Sequence, residues 1–201
     1  MCELRRQKNE IRTELLERRR TILSAKREEW DAKISNIFLN SISYRFCDIL
    51  LIYASAKDEI STAAIIDHAL ANKKIVACPI SNAENSTLTF KTISSPGELA
   101  PGTYDISEPP GTNPDFREFL APGKISGKKL PLAICVIPCL SYDPEGYRMG
   151  YGKGYYDRFL PSFDGTKIGL CYSEFKAARL PKGKYDVKLD VVITEKGVVI
   201  L

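Results

Sequence analysis

The chain has 201 residues, 44% of them apolar and 27% charged, with a formal net charge of +4. That is an ordinary globular composition, long enough for one domain with a sizeable core and short for two. No apolar run approaches the roughly 20 residues that cross a bilayer, no signal peptide is visible, and Glu3, Glu10, Glu14 and Glu17 break up the basic N-terminus, unlike an acid-poor transit peptide. The expectation is a cytoplasmic protein with no membrane partner. Cys2, Cys47, Cys78, Cys135, Cys139 and Cys171 form no C-x-x-C pair, and there is one histidine. This argues against a Cys/His zinc site and for reduced core thiols.

Residues 3–42 read as helix broken near Ser24, with Ile11, Leu15, Ile22, Ile34, Ile37 and Phe38 near helical spacing. Their first 33 positions hold ten Lys or Arg against seven Asp or Glu, a mixed face rather than a basic stripe. Lys8 and Arg12 are four apart and so share a helix face; taken alone, such a pair is a solvated face. Trp30 reads as a packing residue. Asp48–Ala54 has the length and apolarity of a strand, and Ser61 or Thr62 is placed to cap a helix that carries Ile65, Ile66, Ala69 and Leu70 on one side. His68, inside that pattern, reads as an exposed or packed helix residue. Residues 74–79 and 87–92 read as further strands, the latter half-exposed.

Residues 94–131 are rich in proline and glycine and too long for a simple connection, so a function or a short helix near Phe116–Leu120 is expected. Leu132–Pro138 is the most apolar run and reads as a central strand, with 167–172 and 191–194 completing the set. Strands alternating with helices predict an α/β fold: a single-domain, Rossmann-like three-layer sandwich over residues 1–201, with a mostly parallel central sheet behind a long N-terminal helical segment.

After the central strand and a turn comes Arg148-Met-Gly-Tyr-Gly-Lys-Gly-Tyr-Tyr-Asp157. Gly150, Gly152 and Gly154 permit positive φ and close backbone approach. With Arg148 and Lys153 beside them they make a plausible nest for phosphate oxygens. The helix expected over Tyr155–Leu160 would point its N-terminus at the same place. The spacing is neither that of a Walker A loop nor G-x-G-x-x-G.

This segment closely resembles the signature of the 5-formyltetrahydrofolate cyclo-ligase (5,10-methenyltetrahydrofolate synthetase) family. Weaker likenesses follow in order along the chain: Lys8-Asn-Glu-Ile-Arg12, Asp58-Glu-Ile-Ser-Thr62, Pro101-Gly102, Ile106-Ser-Glu-Pro109 and Asp186-Val-Lys-Leu-Asp190. The resemblance implies conversion of 5-formyltetrahydrofolate and ATP to 5,10-methenyltetrahydrofolate, ADP and phosphate, with Mg²⁺. Such chemistry needs ligand positioning and charge neutralisation and no enzyme nucleophile, so a chain with a single histidine can perform it. Arg148 is then the residue expected to stabilise the transferring phosphoryl group, with Lys153 a second cation on the phosphates. Lys8, Arg12, Gly150, Tyr151, Gly152, Gly154, Tyr155 and Tyr156 join them around ATP. Asp157 and Asp186 are expected to hold Mg²⁺, although Tyr185 stands where the family often has histidine. Glu59 is expected to read the pterin, with Ala54, Tyr104, Tyr155 and Tyr156 walling the folate.

The expected partners are therefore a folate and ATP, bound by a monomer without nucleic acid. The alternative readings are a basic RNA-binding module using the arginine-rich helix and the Tyr155–Tyr156 pair, and a sugar-phosphate isomerase or CoA-transferase-like enzyme on a related fold. The latter needs a carboxylate base or nucleophile near the glycines and no ATP.

Overall fold

The computed structural model describes residues 2–102, 106–125 and 130–201. The N-terminal segment forms α1 (Cys2–Arg20) and α2 (Ser24–Asn40), followed by a short α3 (Ile42–Phe46). The expected break has a local cause: the Thr21 hydroxyl donates to the Arg18 carbonyl at 2.7 Å, competing with the helical ladder. Next come β1 (Ile49–Leu51), α4 (Ala63–Ala71), β2 (Ile75–Asn82) and β3 (Thr87–Ile93). Thr62 takes the N-cap position of α4 without capping it. Its hydroxyl is turned to the Tyr53 carbonyl at 2.6 Å, a buried acceptor that has first claim on a donor.

The proline-rich stretch carries β4 (Ala100–Pro101) and β5 (Ser107–Glu108) and two 3₁₀ turns, Pro96–Glu98 and Phe116–Phe119. Both turns open with capping boxes, Ser95 with Glu98 and Asp115 with Glu118. Then follow β6 (Ala133–Pro138), β7 (Ser141–Tyr142), β8 (Arg148–Met149), α5 (Tyr155–Phe159), β9 (Thr166–Leu170), β10 (Val191–Thr194) and β11 (Gly197–Ile200). The Gly-Val-Val-Ile run of β11 was not legible as a strand because it is a half-exposed edge.

Seven strands form one sheet in the order β11-β10-β9-β6-β1-β2-β3. The five inner strands pair in parallel, and β3 and β11 close the two edges antiparallel. This is the mostly parallel α/β sheet that the sequence predicted. β1 and β6, buried at every position from Ile49 to Leu51 and from Ala133 to Ile137, lie at its centre, as expected of strands covered on both faces.

From β1 the chain runs through α4 to β2 on one side; from β6 it runs through α5 to β9 on the other. With right-handed crossovers, connections in opposite directions put α4 and α5 on opposite faces. The order therefore reverses between β1 and β6. Open α/β sheets bind ligands in the crevice beyond the strand ends at such a point.

Candidate active site

Two segments leave the carboxyl ends of these central strands. The first follows β1 and turns back at Ala56, whose N–H donates to Glu59 Oε2 at 2.9 Å while the Glu59 N–H donates to the Ala56 carbonyl at 3.0 Å. Burial pushes the Glu59 carboxyl pKa up, and the Ala56 amide and the Arg19 charge pull against it.

The second segment follows β6. Asp143 is fully buried and accepts from the Glu145, Tyr147 and Leu180 N–H groups, each at 3.0 Å, which fixes the turn between β7 and β8. β8 then delivers the glycine loop. Only two of its three glycines need left-handed backbone, Gly152 at φ +101° and Gly154 at φ +72°. Gly150 contributes its carbonyl instead, which accepts from Arg12 Nε at 2.9 Å.

Helix α5 has only five residues, and Arg158 donates back to the Lys153 and Gly154 carbonyls, both at 3.1 Å. Its dipole is correspondingly small, so the positive charge at the loop comes chiefly from the surrounding cations. Asp157 does not cap this helix. It pairs with Arg148 at 3.1 Å and accepts from the Val187 N–H at 3.2 Å. Arg148 donates in addition to the Val187 carbonyl at 3.0 Å, and its side chain is 5% exposed.

Helix α1 closes the site from the N-terminal side. Lys8 Nζ lies 2.7 and 2.5 Å from the two carboxylate oxygens of Asp186, which also accepts from the Gly183 N–H. Arg12 sits directly over Gly152: a Cβ there would lie 2.8 Å from its Cζ. Burial lowers the Arg12 pKa from its ordinary value.

The ends of these segments that carry Lys8, Arg12, Glu59, Arg148, Asp157 and Asp186 line one cavity of about 530 Å³. Every site residue named from the sequence borders it except Tyr104, which lies outside the described residues. The structure adds wall residues to which the sequence assigned no role, among them Tyr53, Pro79 and Leu88.

Arg19 was also missed. It is 1% exposed, donates to the Cys139 carbonyl at 3.3 Å and stacks over Tyr172 at 4.7 Å. In an Arg18-Arg19-Arg20 run nothing distinguishes it from its solvated neighbours. The Tyr156 hydroxyl is buried without a hydrogen-bond partner among the described residues, a donor that a polar ligand atom would satisfy. His68, by contrast, is an exposed α4 residue whose Nδ1 lies 2.6 Å from the Tyr44 hydroxyl. Trp30 packs on Tyr172, as its sequence context implied.

Among the described residues no three acidic, histidine or cysteine side chains cluster as a metal cage. Mg²⁺ asks for less: one or two carboxylates, waters and substrate phosphates. Asp157 and Asp186 meet that demand, since both border the cavity and Asp157 is bonded to the N–H of the residue after Asp186. No helix among the described residues is long and apolar enough to cross a membrane.

Comparison with known proteins gives a consistent answer. A probable 5-formyltetrahydrofolate cyclo-ligase of Caenorhabditis elegans is 28% identical, over 95% of this chain and 96% of the relative. The mouse 5-formyltetrahydrofolate cyclo-ligase is 25% identical over 94% and 93%. Among solved structures, the 5,10-methenyltetrahydrofolate synthetase of Aquifex aeolicus superposes with a TM-score of 0.77 at 26% identity, covering 96% of this chain and 92% of its own. A Mycoplasma pneumoniae 5,10-methenyltetrahydrofolate synthetase shares the fold, with a TM-score of 0.69 at 22% identity over 94% of this chain and 98% of its own. The model of the 5-formyltetrahydrofolate cyclo-ligase family matches residues 5–195, and the chain belongs to that family of enzymes.

Proposed function

We propose that the chain, acting as one domain and as a cytoplasmic monomer, cyclises 5-formyltetrahydrofolate to 5,10-methenyltetrahydrofolate at the expense of ATP, releasing ADP and phosphate. The observation that carries the reading is the shared cavity: a glycine loop ringed by Lys8, Arg12, Arg148 and Lys153 opens into the same space as Ala54 and the buried carboxyl of Glu59.

An N-formyl group is an amide, a poor electrophile with a poor leaving group. Phosphorylating its oxygen gives an iminium phosphate, which N10 attacks within the same molecule as phosphate departs. Approximation of the two ligands and neutralisation of phosphoryl charge then supply the catalysis. Lys8 and Arg148 are held by Asp186 and Asp157 respectively. An incoming triphosphate offers these cations stronger acceptors, and the two carboxylates thereby become available as ligands. Mg²⁺ held by Asp157 and Asp186 would neutralise charge on the phosphate oxygens. Arg148, with a planar fork that spans two oxygens, is suited to the equatorial charge of the transferring group. Glu59 can accept from the amino and ring N–H groups of a pterin, and Tyr155 and Tyr156 flank that space.

The test is direct. Protein mixed with Mg-ATP and 5-formyltetrahydrofolate should produce the near-ultraviolet absorbance of the methenyl product. Folded protein that gives no ATP-dependent signal would exclude this function.

A further inference from the structure

The geometry points to Tyr151 as a positioning residue that couples the nucleotide side of the cavity to the folate side, so that nucleotide binding strengthens folate binding. Tyr151 belongs to the glycine loop, yet its hydroxyl reaches across the chain to donate to the Asp58 carbonyl at 3.0 Å. Asp58 precedes Glu59. Its segment is already gripped from outside, because Arg20 holds the Asp58 carboxylate at 2.9 Å and Arg27 donates to the Lys57 carbonyl at 2.8 Å. On the other side of Tyr151, the Gly150 carbonyl is held by Arg12.

Arg12, Gly150, Tyr151, Asp58 and Glu59 thus form one contiguous chain of contacts from the expected phosphate site to the expected pterin site. A nucleotide that orders Arg12 and the glycine loop also orders Tyr151, and through it residues 55–59. The folate then binds a segment whose ordering has already been met, which gives positive cooperativity without a large movement. One neutral hydrogen bond sets the scale, at roughly two- to tenfold in affinity.

This inference rests on the function proposed above. The experiment measures 5-formyltetrahydrofolate affinity by calorimetry, with and without the β,γ-imido analogue of ATP and Mg²⁺, in the wild type and in Tyr151→Phe. The wild type should bind the folate about two- to tenfold more tightly with the analogue present. In Tyr151→Phe that ratio should fall to about one. A wild-type ratio retained by Tyr151→Phe, or a ratio of one in a wild type that binds both ligands, overturns the coupling and leaves the function standing. Failure of folded wild type to bind either ligand overturns the function and the coupling together. Amide hydrogen exchange provides a second reading: the analogue alone should slow exchange of residues 55–59 in the wild type and leave it unchanged in Tyr151→Phe. Equal slowing in both proteins would refute the role.

Discussion

Gly152→Ala separates the two things that this glycine does. Its φ of +101° lies where an L side chain is strained, and the new Cβ would fall 2.8 Å from Arg12 Cζ and 2.9 Å from Arg12 Nη1. The backbone strain costs about 1–2 kcal/mol. The clash is with the far end of a flexible side chain, so Arg12 moves and the backbone stays. That movement breaks the 2.9 Å bond from Arg12 Nε to the Gly150 carbonyl, worth about 1 kcal/mol after water replaces the lost partner.

For a chain of this length a total of about 2–3 kcal/mol lowers Tm by about 4–12 °C. If Arg12 contacts the phosphates, its displacement should also weaken ATP binding about tenfold or more, the worth of a charge-assisted hydrogen bond. Gly150→Ala is the internal control. Its φ is not positive and a Cβ there meets nothing within 4 Å, so Tm should change by no more than about 2 °C. Calorimetric melting and ATP titration of the two variants decide the matter. Equal Tm losses in both would refute the strain argument. A destabilised Gly152→Ala with undiminished ATP affinity would refute the role assigned to Arg12.

Other substitutions read other parts of the site. Arg148→Ala should lower kcat about 100- to 1000-fold while changing ATP affinity far less; a loss confined to affinity would make Arg148 a ground-state clamp. Asp143→Ala removes the acceptor of three N–H groups, of which that of Leu180 is buried, and should destabilise the fold by about 2 kcal/mol or more, seen as an earlier denaturation midpoint; a midpoint within error of the wild type would mean that water replaces the carboxylate. Glu59 has a pKa raised above the ordinary 4.5 by burial, so its folded form favours the proton. The stability it contributes is complete below the ordinary value and is lost as pH rises through the folded value. Glu59→Gln should therefore gain thermal stability relative to the wild type as pH rises from 4.5 to neutrality, while losing folate affinity. A stability difference that shrinks over that range would show that the carboxyl is not raised.

How much of this could be read from the chain alone depends on the kind of signal involved. Helical and strand periodicity is local, so the order of helices and inner strands was legible from Ile11 to Thr194. The edge strand β3 was legible too, from its alternation, whereas the five-residue α3, the half-exposed β11 and the two-residue β4, β5, β7 and β8 are too short or too exposed to announce themselves. The glycine loop carried enough chemistry in ten residues to single out a segment that borders the cavity. By themselves those residues did not reveal that Gly150 serves as an acceptor for Arg12, or that Gly152 is flat because Arg12 lies on it.

Sequence by itself determined the α/β class, marked the glycine loop as a candidate site and, through its ordered motifs, gave away the family. Tertiary structure alone decided what each charge faces. Lys8 meets Asp186 across 178 positions, Tyr151 meets Asp58 across 93, and Arg19 is buried while Arg18 and Arg20 are not. The physical reason is that charges and hydrogen bonds act through space. Which residues come within 3 Å is set by how the whole chain packs, the reversal of strand order between β1 and β6 included, and no stretch of sequence encodes that on its own.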